Sequence, residues 1–372
     1  MAAKLFGDVA GNWTSGQAGN QTLTLPDNDG GTASGDAGGA LTGGVGGNDT
    51  LIGGEKAATN ILNGDANSIS GNGRGGNDIL RGGDKAKVNS YAGDARSMSG
   101  NARGGNDTIT GGDEAGGTTG AAIVGGNFLY GDALTMTGKT LGGNDVVTGG
   151  ASAVLNTEYG DAANMAGTAK GGNDTVIGGA EADLNFLQGD AANMTGSSQG
   201  GNDILIGGAS AGVNYMYGDA YTMGSKAIGG NDILTGGNGQ ASLTLLTQNY
   251  MFGDAYQLSG KAVAGNDTLI SSTGFDSMWG DAFAIIGNNV TTGHDTFVFL
   301  TNSGRDIIND FRQSDADKID VSAYHFGGIA DLHFATSPTT GNVVITFGAT
   351  INTVELAGIT NPSVLHASDF IF

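Results

Sequence analysis

The sequence predicts an all-β protein, a parallel β-helix or β-roll solenoid of about nine 29-residue coils with a C-terminal β cap. Two signatures alternate along the chain: Gly-Gly-Asn-Asp followed by an apolar residue, and Gly-Asp-Ala. From the Asp of Gly-Asp-Ala to the Asp of the next Asn-Asp the spacing is 13 residues in eight repeats and 14 in the last. From the Asp of Asn-Asp to the Asp of the following Gly-Asp-Ala it is 16 residues in five cases, which gives a period of 29. A fixed period of this size is typical of solenoids, in which each repeat packs on its neighbours.

Three short apolar segments recur in each repeat and predict its strands. The first follows Asn-Asp, as at Leu80; the second precedes Gly-Asp-Ala, as at Leu62; the third lies four residues after the Gly-Asp-Ala Asp, as at Ile69. Each segment is only two to five residues long between Gly-rich corners, which suits strands and not helices. In a parallel stack, equivalent side chains repeat about every 4.8 Å, so the three columns should form the core.

Two further columns accompany the apolar ones. An Asn stands five residues before the Gly-Asp-Ala Asp, and stacked Asn side chains form hydrogen-bonded ladders; its members are Asn60, Asn89, Asn127, Asn156, Asn185, Asn214 and Asn249. In several repeats an aromatic residue directly follows the residue of the second apolar column, so by strand alternation its side chain should face outward. These aromatic residues are Tyr130, Tyr159, Tyr217, Phe252 and Trp279. This aromatic stripe is either a packing ladder or a surface for carbohydrate or another partner.

Composition limits the classes of partner. The net charge is −22, with 37 acidic and 15 basic residues, so we expect cations and not nucleic acid as partners. Cysteine is absent, which excludes disulfides and thiolate sites. No apolar run approaches the length of a transmembrane segment. The 72 glycines serve tight corners, because collagen-type periodicity is missing.

Three regions differ in how regular the repeat is. Residues 1–45 are interpreted as degenerate N-terminal coils, residues 46–295 as regular solenoid repeats, and residues 296–372 as a C-terminal β cap. Two insertions, around residues 113–123 and 238–247, fall in the same arc of the repeat, which indicates loops on one side of the stack.

The Asp residues of both signatures are candidate metal ligands. Those of Asn-Asp, with a His-Asp variant at the end, are Asp49, Asp78, Asp107, Asp145, Asp174, Asp203, Asp232, Asp267 and Asp295. Those of Gly-Asp-Ala, which either ligate metal or accept backbone N–H bonds, are Asp36, Asp65, Asp94, Asp132, Asp161, Asp190, Asp219, Asp254 and Asp281. Carboxylates with Gly-corner carbonyls, without His or Cys, favour multiple Ca²⁺ ions. Stacked carboxylates repel, so calcium binding and folding should be coupled.

The Asn-Asp segment resembles the RTX (repeats-in-toxin) nonapeptide Gly-Gly-x-Gly-x-Asp-x-U-x, where U is apolar, as residues 76–83 show. The resemblance implies a parallel β-roll with Ca²⁺ at its turns and export by type I secretion machinery. Each such segment is separated here by about 20 other residues, which predicts a larger coil than the family's. Residues 293–299, 304–311, 317–322 and 367–372 resemble the C-terminal region of serralysin-type exoproteins, whose end is an uncleaved type I secretion signal.

These observations predict a secreted calcium-binding structural protein that self-assembles at the cell surface or matrix of a Gram-negative bacterium, as a filament or surface layer. A monomeric adhesin or effector that binds a cell-surface glycan or host partner is the alternative, and a polysaccharide-active enzyme is a minor one. No catalytic residues are predicted: three of the four His lie in the cap, and no nucleophile elbow or phosphate loop is present.

Overall fold

A computed structural model describes residues 2–119, 122–239, 247–348 and 352–372 of the chain. It confirms the predicted fold class: the chain forms a parallel β-solenoid of about ten turns, with coils of about 29 residues and almost no helix. Within the described ranges, no helix is long and apolar enough to cross a membrane.

Each central coil contributes one short strand to each of three sheets, whereas the terminal coils lack a strand of sheet 2. In sheet order, sheet 1 contains Ala3–Phe6, Gly31–Ser34, Asn60–Asn63, Val88–Ala92, Gly126–Tyr130, Asn156–Tyr159, Leu184–Gln188, Val213–Tyr217, Gln248–Phe252, Phe275–Trp279, Arg305–Ile308, Thr353–Leu356, Val343–Thr346 and His333–Thr336. Sheet 2 contains Ala37–Leu41, Ala66–Ile69, Ala95–Met98, Ala133–Gly138, Ala162–Gly167, Ala191–Met194, Ala220–Met223, Ala255–Ser259 and Ala282–Ile286. Sheet 3 contains Thr22–Thr24, Thr50–Ile52, Ile79–Arg81, Thr108–Thr110, Val146–Thr148, Thr175–Ile177, Ile204–Ile206, Ile233–Thr235, Thr268–Ile270, Thr296–Val298, Lys318–Asp320 and Phe370–Ile371.

The register places equivalent residues of successive coils side by side. Asn60 pairs with Asn89, and Leu62 pairs with Tyr91, one period further along the chain. The apolar columns of the sequence therefore fill the interior, with each predicted position fully buried except Ile285, which is half-buried in the last strand of sheet 2. Burial of three apolar side chains per coil is the main stabilising contribution to this fold.

The Asn column forms the predicted ladder. Each Asn is buried, and its Nδ2 donates to Oδ1 of the Asn in the next coil, at 2.7–2.9 Å from Asn60 through to Asn249. The same Nδ2 donates to a carbonyl of the Gly-Gly corner, such as that of Gly54. At the end of the ladder, Asn249 donates to the carboxyl of Asp276 at 2.6 Å. The ladder therefore ties each Gly corner to the next coil.

The aromatic stripe is stacked as expected, but part of it is not on the surface. Tyr217 stacks on Phe252 with ring centroids 5.0 Å apart, and Phe252 stacks on Trp279 at 4.6 Å. Tyr217 and Phe252 are only 2% and 3% exposed, because a second stack through Tyr221 and Tyr256 covers them. This stripe therefore acts as a packing ladder in these coils.

The C-terminal region extends two of the three sheets. Sheet 1 continues through Arg305–Ile308 and ends in three strands joined antiparallel, and sheet 3 continues to Phe370–Ile371. Sheet 2 ends at Ala282–Ile286, whose Phe283 and Ile286 side chains are 54% and 53% exposed. Short 3₁₀ helices occur at Gln313–Asp315, Ser322–Tyr324, Ile329–Asp331, Pro362–Val364 and Ala367–Asp369.

The two insertions leave the coil on the side between sheets 3 and 1. The first carries a small antiparallel pairing of Thr118–Thr119 with Ala122–Ile123. Most of the second, residues 240–246, lies outside the described residues.

Candidate metal centre

The eighteen predicted Asp residues lie in two buried columns along the solenoid. In each coil, Gly-Asp forms the corner between a strand of sheet 1 and one of sheet 2, as Asp65 does between Asn60–Asn63 and Ala66–Ile69. Asn-Asp forms the corner before sheet 3, as Asp78 does before Ile79–Arg81. All eighteen side chains are at most 3% exposed. We call them the Gly-Asp column and the Asn-Asp column.

One oxygen of each carboxyl in the Asn-Asp column stabilises the preceding coil. Oδ1 of Asp78 accepts a hydrogen bond from the backbone N–H of Asp49 at 2.6 Å. The same bond recurs along the column at 2.6–2.9 Å, up to the bond from the Asp267 N–H to Asp295. Sequence reasoning had offered this backbone role for the other column only.

The second oxygen of each of these carboxyls lacks a partner. In the part of the chain that the structure describes, Oδ2 is buried without a hydrogen bond in all nine members of the Asn-Asp column, from Asp49 to Asp295. A buried acceptor without a partner costs about 1–3 kcal/mol, and more when it is charged. Nine such atoms at equivalent places are a property of the repeat and not a local defect.

These orphan oxygens face the Gly-Asp corner of the same coil. A Cβ added at Gly64 would overlap both Asp78 Oδ2 and the carbonyl oxygen of Gly93 in the next coil. In every coil up to Gly253, a Cβ added at the equivalent glycine would overlap the equivalent Asp Oδ2 and Gly carbonyl oxygen. Glycine is therefore required at this corner, and its missing side chain leaves a carboxylate and a carbonyl oxygen close together.

The Gly-Asp column accepts backbone bonds within its own coil. The Asp65 carboxyl accepts the N–H of Gly76 at 3.1 Å, and the equivalent bond recurs in the other coils. Successive carboxyls of this column also lie within hydrogen-bonding reach of each other, as for Asp65 with Asp36 and Asp94. A row of close, buried carboxyls cannot be fully ionised without positive charge nearby.

Burial and mutual repulsion raise the pKa of these carboxyls. Burial, reinforced by Asp78 of the other column, raises the pKa of Asp65 well above its usual range. Burial, reinforced by Asp145, raises the pKa of Asp132 to about 7. Burial, reinforced by Asp267, raises the pKa of Asp295 to about 10. Since each column raises pKa values in the other, the two columns form one electrostatic unit.

The donor set fits a hard cation, although side chains alone do not complete a site. Across the described ranges, no three His, Cys, Asp or Glu side chains form a cluster that could hold a metal ion. The oxygens that do converge are a carboxylate and a Gly carbonyl, which are the ligand types that Ca²⁺ takes. A calcium site here would therefore depend on backbone carbonyls as much as on the Asp columns.

At the C-terminal end of the Gly-Asp column, an arginine side chain of the protein pairs with the last carboxylate. The Arg312 guanidinium donates to Asp281 Oδ2 at 2.5 Å. Asp310 accepts the N–H groups of Gly280 and Asp281, and Asp317 accepts the N–H of Asp295, so both continue the columns into the cap. Sequence reasoning missed these residues, although residues 309–311 (Asn-Asp-Phe) and 316–318 (Ala-Asp-Lys) carry a weak form of the repeat.

One buried acidic residue stands in an apolar column. Glu158 occupies the second apolar column between Leu129 and Leu187, and neither carboxyl oxygen has a partner among the described residues. Burial raises the pKa of Glu158 well above its usual range, which favours the protonated form in the folded chain. Nothing in the structure explains why a Glu stands at this position.

Comparisons with known protein families and with curated proteins found no match. The parallel stacking of the coils is consistent with an RTX-like roll.

Proposed function

We propose that this chain is a secreted, calcium-binding structural solenoid whose folding depends on Ca²⁺ and which self-assembles at a bacterial cell surface. The observation that carries the proposal is the row of nine buried Asp Oδ2 atoms without a partner, eight of which lie beside a Gly carbonyl. Calcium would supply the positive charge and the Lewis acid that these oxygens lack.

The charge balance of the chain supports this assignment. Eighteen buried carboxyls stand in the two columns, and Arg312 forms an ion pair with only one of them. Within the described residues, the other ion pairs join Arg312 to Asp315, 3.6 Å apart, and Lys85 to Glu114 on the surface, 3.5 Å apart. About nine to eleven divalent ions would balance most of the net charge of −22. The carboxylates of the two Asp columns coordinate the ions, and the missing side chains of the corner glycines leave space for them.

Calcium-coupled folding also agrees with the proposed export route. A chain that remains unfolded at low calcium can pass through type I secretion machinery and fold outside the cell. The RTX-like repeats and the serralysin-like C-terminal residues support this route and a Gram-negative source. The function proposed is structural, without catalysis.

Self-assembly is supported by the open edge of sheet 2. Its last strand, Ala282–Ile286, has a neighbour on one side only, and Phe283 and Ile286 are exposed beside it. An open strand edge with apolar side chains favours pairing with another chain. The two other sheets are extended by the C-terminal region, so contact between copies is proposed at this edge.

The first experiment measures folding and particle size in chelator and after addition of millimolar calcium. Far-UV circular dichroism at pH 8 should gain β signal with calcium and not with magnesium, because Mg²⁺ dehydrates reluctantly. The same spectrum and the same urea midpoint in chelator and in calcium would contradict calcium-coupled folding.

Assembly is tested separately by light scattering and negative-stain imaging of the calcium-loaded protein. The double variant Phe283→Ser, Ile286→Ser should remain monomeric while keeping the calcium response. Its matched control is Ile204→Ser, Ile206→Ser, which removes two exposed apolar side chains from sheet 3 and should assemble like the wild type. A wild-type protein that stays a monomeric rod would refute assembly and favour the adhesin alternative.

A further inference from the structure

A cluster of cations breaks the regularity of the solenoid on the surface between sheets 2 and 3. Arg74 and Arg103 are bridge partners in adjacent coils, and together with Lys139 they line a cleft of about 380 Å³. Asn72, Asn101 and Leu141 complete the lining, which contains no acidic residue. We call this feature the cationic cleft.

The cationic cleft is not balanced by the protein. Arg74, Arg103 and Lys139 are exposed, and none has a carboxylate within salt-bridge distance among the residues that the structure describes. Like charges in directly paired positions of a sheet are destabilising. An acidic chain that places two guanidinium groups one coil apart, with a third cation beside them, therefore provides an anion site.

The cluster is confined to a few coils. The position of Arg74 and Arg103 is occupied by Leu141 and Lys170 in the next two coils, and then by Gln199, Ile228, Val263 and Thr291. The position of Lys139 is occupied by Lys226 and Lys261 in later coils, where the paired residues are Ile228 and Val263. Lysines thus recur along this surface, with Lys226 and Lys261 in adjacent coils, but paired guanidinium groups occur once in the described part of the row.

A second cationic surface shows the contrast. Lys56, Lys85 and Lys87 line a cleft of about 430 Å³ beside the first insertion. There Lys85 forms an ion pair with Glu114 at 3.5 Å, and Asp84 and Asp113 lie on the same corner of successive coils. One of those lysines is thus paired with an acid, whereas none of the three cations of the cationic cleft is.

We propose that the cationic cleft binds an acidic polysaccharide through the carboxylate or sulfate groups of its sugar units. Guanidinium groups bind both oxyanions with two parallel hydrogen bonds, which lysine cannot do. The amide groups of Asn72 and Asn101, joined by a hydrogen bond of 3.1 Å, offer partners for sugar hydroxyls. The cleft has no aromatic lining, which single-stranded nucleic acid needs for base stacking.

The test is calorimetric titration of the full chain at fixed, saturating calcium. The probes are a short galacturonate oligosaccharide, a heparin-derived sulfated oligosaccharide, a neutral dextran oligosaccharide and oligo-dT. One or both acidic sugars should bind, with an affinity that falls as salt rises, and comparison of the two identifies carboxylate or sulfate as the ligand group. Neutral dextran and oligo-dT should bind at least about tenfold more weakly.

Three double variants locate the site. Arg74→Gln, Arg103→Gln should lose at least about tenfold in affinity, since two charge-assisted hydrogen-bond pairs are removed. Arg74→Lys, Arg103→Lys should lose less, because charge remains without bidentate geometry. The control Lys226→Gln, Lys261→Gln removes the same charge from the same surface and should bind like the wild type.

Several results would overturn the proposal. They are an absence of binding to both acidic sugars, an equal loss in the glutamine variant and its control, and binding of neutral dextran or oligo-dT as tight as that of the acidic sugars. Unchanged binding of the Arg74→Gln, Arg103→Gln variant would instead place the anion on calcium bound at the Asp columns. All three variants alter exposed side chains, and circular dichroism in calcium verifies that they are folded.

Discussion

Replacement of Asp132 by Asn should change stability in opposite directions with and without calcium. Asp132 lies in the middle of the Gly-Asp column and accepts the backbone N–H of Gly143 at 3.0 Å. Asn keeps an oxygen for this bond, and its NH₂ group can donate to the carboxyls of Asp94 or Asp161, which lie within reach. The substitution therefore removes one buried negative charge and leaves the shape of the corner almost unchanged.

The magnitude follows from the pKa of this carboxyl. Burial raises the pKa of Asp132 from 3.8 to about 7, and each unit of difference in pKa corresponds to about 1.4 kcal/mol. Ionised Asp132 therefore destabilises the metal-free folded chain by about 4 kcal/mol at pH 8. Below pH ~4 the carboxyl is neutral in both states and this penalty is absent. Stability is lost as the pH rises from there through about 7.

The assay is urea unfolding followed by circular dichroism, in chelator and in millimolar calcium. At pH 8 in chelator, Asp132→Asn should be more stable than the wild type by up to about 4 kcal/mol. In calcium it should gain less stability than the wild type, because a proposed ligand oxygen and its charge are lost. A titration of the folded fraction against pH in chelator gives the same comparison if the wild type is unfolded at pH 8, since the variant's midpoint then moves upward.

The matched control is Asp113→Asn, which makes the same chemical change at an exposed corner. Oδ1 of Asp113 accepts the N–H of Ala151 at 2.8 Å, and Asn keeps that bond. Its stability should stay within about 0.5 kcal/mol of the wild type in both buffers. A loss of stability in Asp132→Asn in chelator, or equal effects of the two substitutions, would refute the view that buried charge opposes folding of the metal-free chain.

Three further outcomes follow from the same geometry. Metal-free wild type should be folded near pH 4 and lose its β signal as the pH rises to 8, because the pKa values of the carboxyls in the two Asp columns are raised in the folded state. Circular dichroism measured against pH tests this. A protein that is unfolded in acid and stable in base would contradict it. Gly64→Ala should destabilise the calcium-loaded protein by about 1–3 kcal/mol or more, since its Cβ would overlap two oxygens, whereas Gly11→Ala has open space and should be neutral in urea unfolding. Asn185→Ala should cost about 2–4 kcal/mol by breaking the buried ladder on both sides, whereas Asn193→Ala, in an exposed Asn pair, should cost less than 1 kcal/mol.

The sequence predicted the repeat geometry well, because in a solenoid the period alone brings equivalent residues together. Once Asn60 and Asn89 stand one coil apart, the ladder and the apolar columns follow from strand stacking without knowledge of longer-range contacts. The stack of Tyr217 on Phe252 follows in the same way, but its burial does not. That burial depends on Tyr221 across the Gly-Asp corner, whose side-chain direction the period does not specify.

The sequence does not show that, in the Asn-Asp column, one carboxyl oxygen accepts a backbone N–H and the other has no hydrogen-bond partner. Asn-Asp spacing places Asp78 at a corner, but its bond to the N–H of Asp49 depends on how far one coil is displaced from the next. That displacement is a property of the backbone and not of the motif. Asp310 and Asp317 could not be predicted as members of the columns either, because they lie in a region without the 29-residue period.

Arg312 shows how the chain could have balanced its columns without a metal. One guanidinium from the cap forms an ion pair with Asp281, where the Gly-Asp column ends. An equivalent Arg in each coil would make the folded state independent of the surrounding ions. The repeat instead keeps Gly at the corner beside each orphan Oδ2, where any side chain would overlap that oxygen. The repeating positions thus exclude an internal cation and leave the balance of charge to ions from solution, as the proposed coupling of folding to calcium requires.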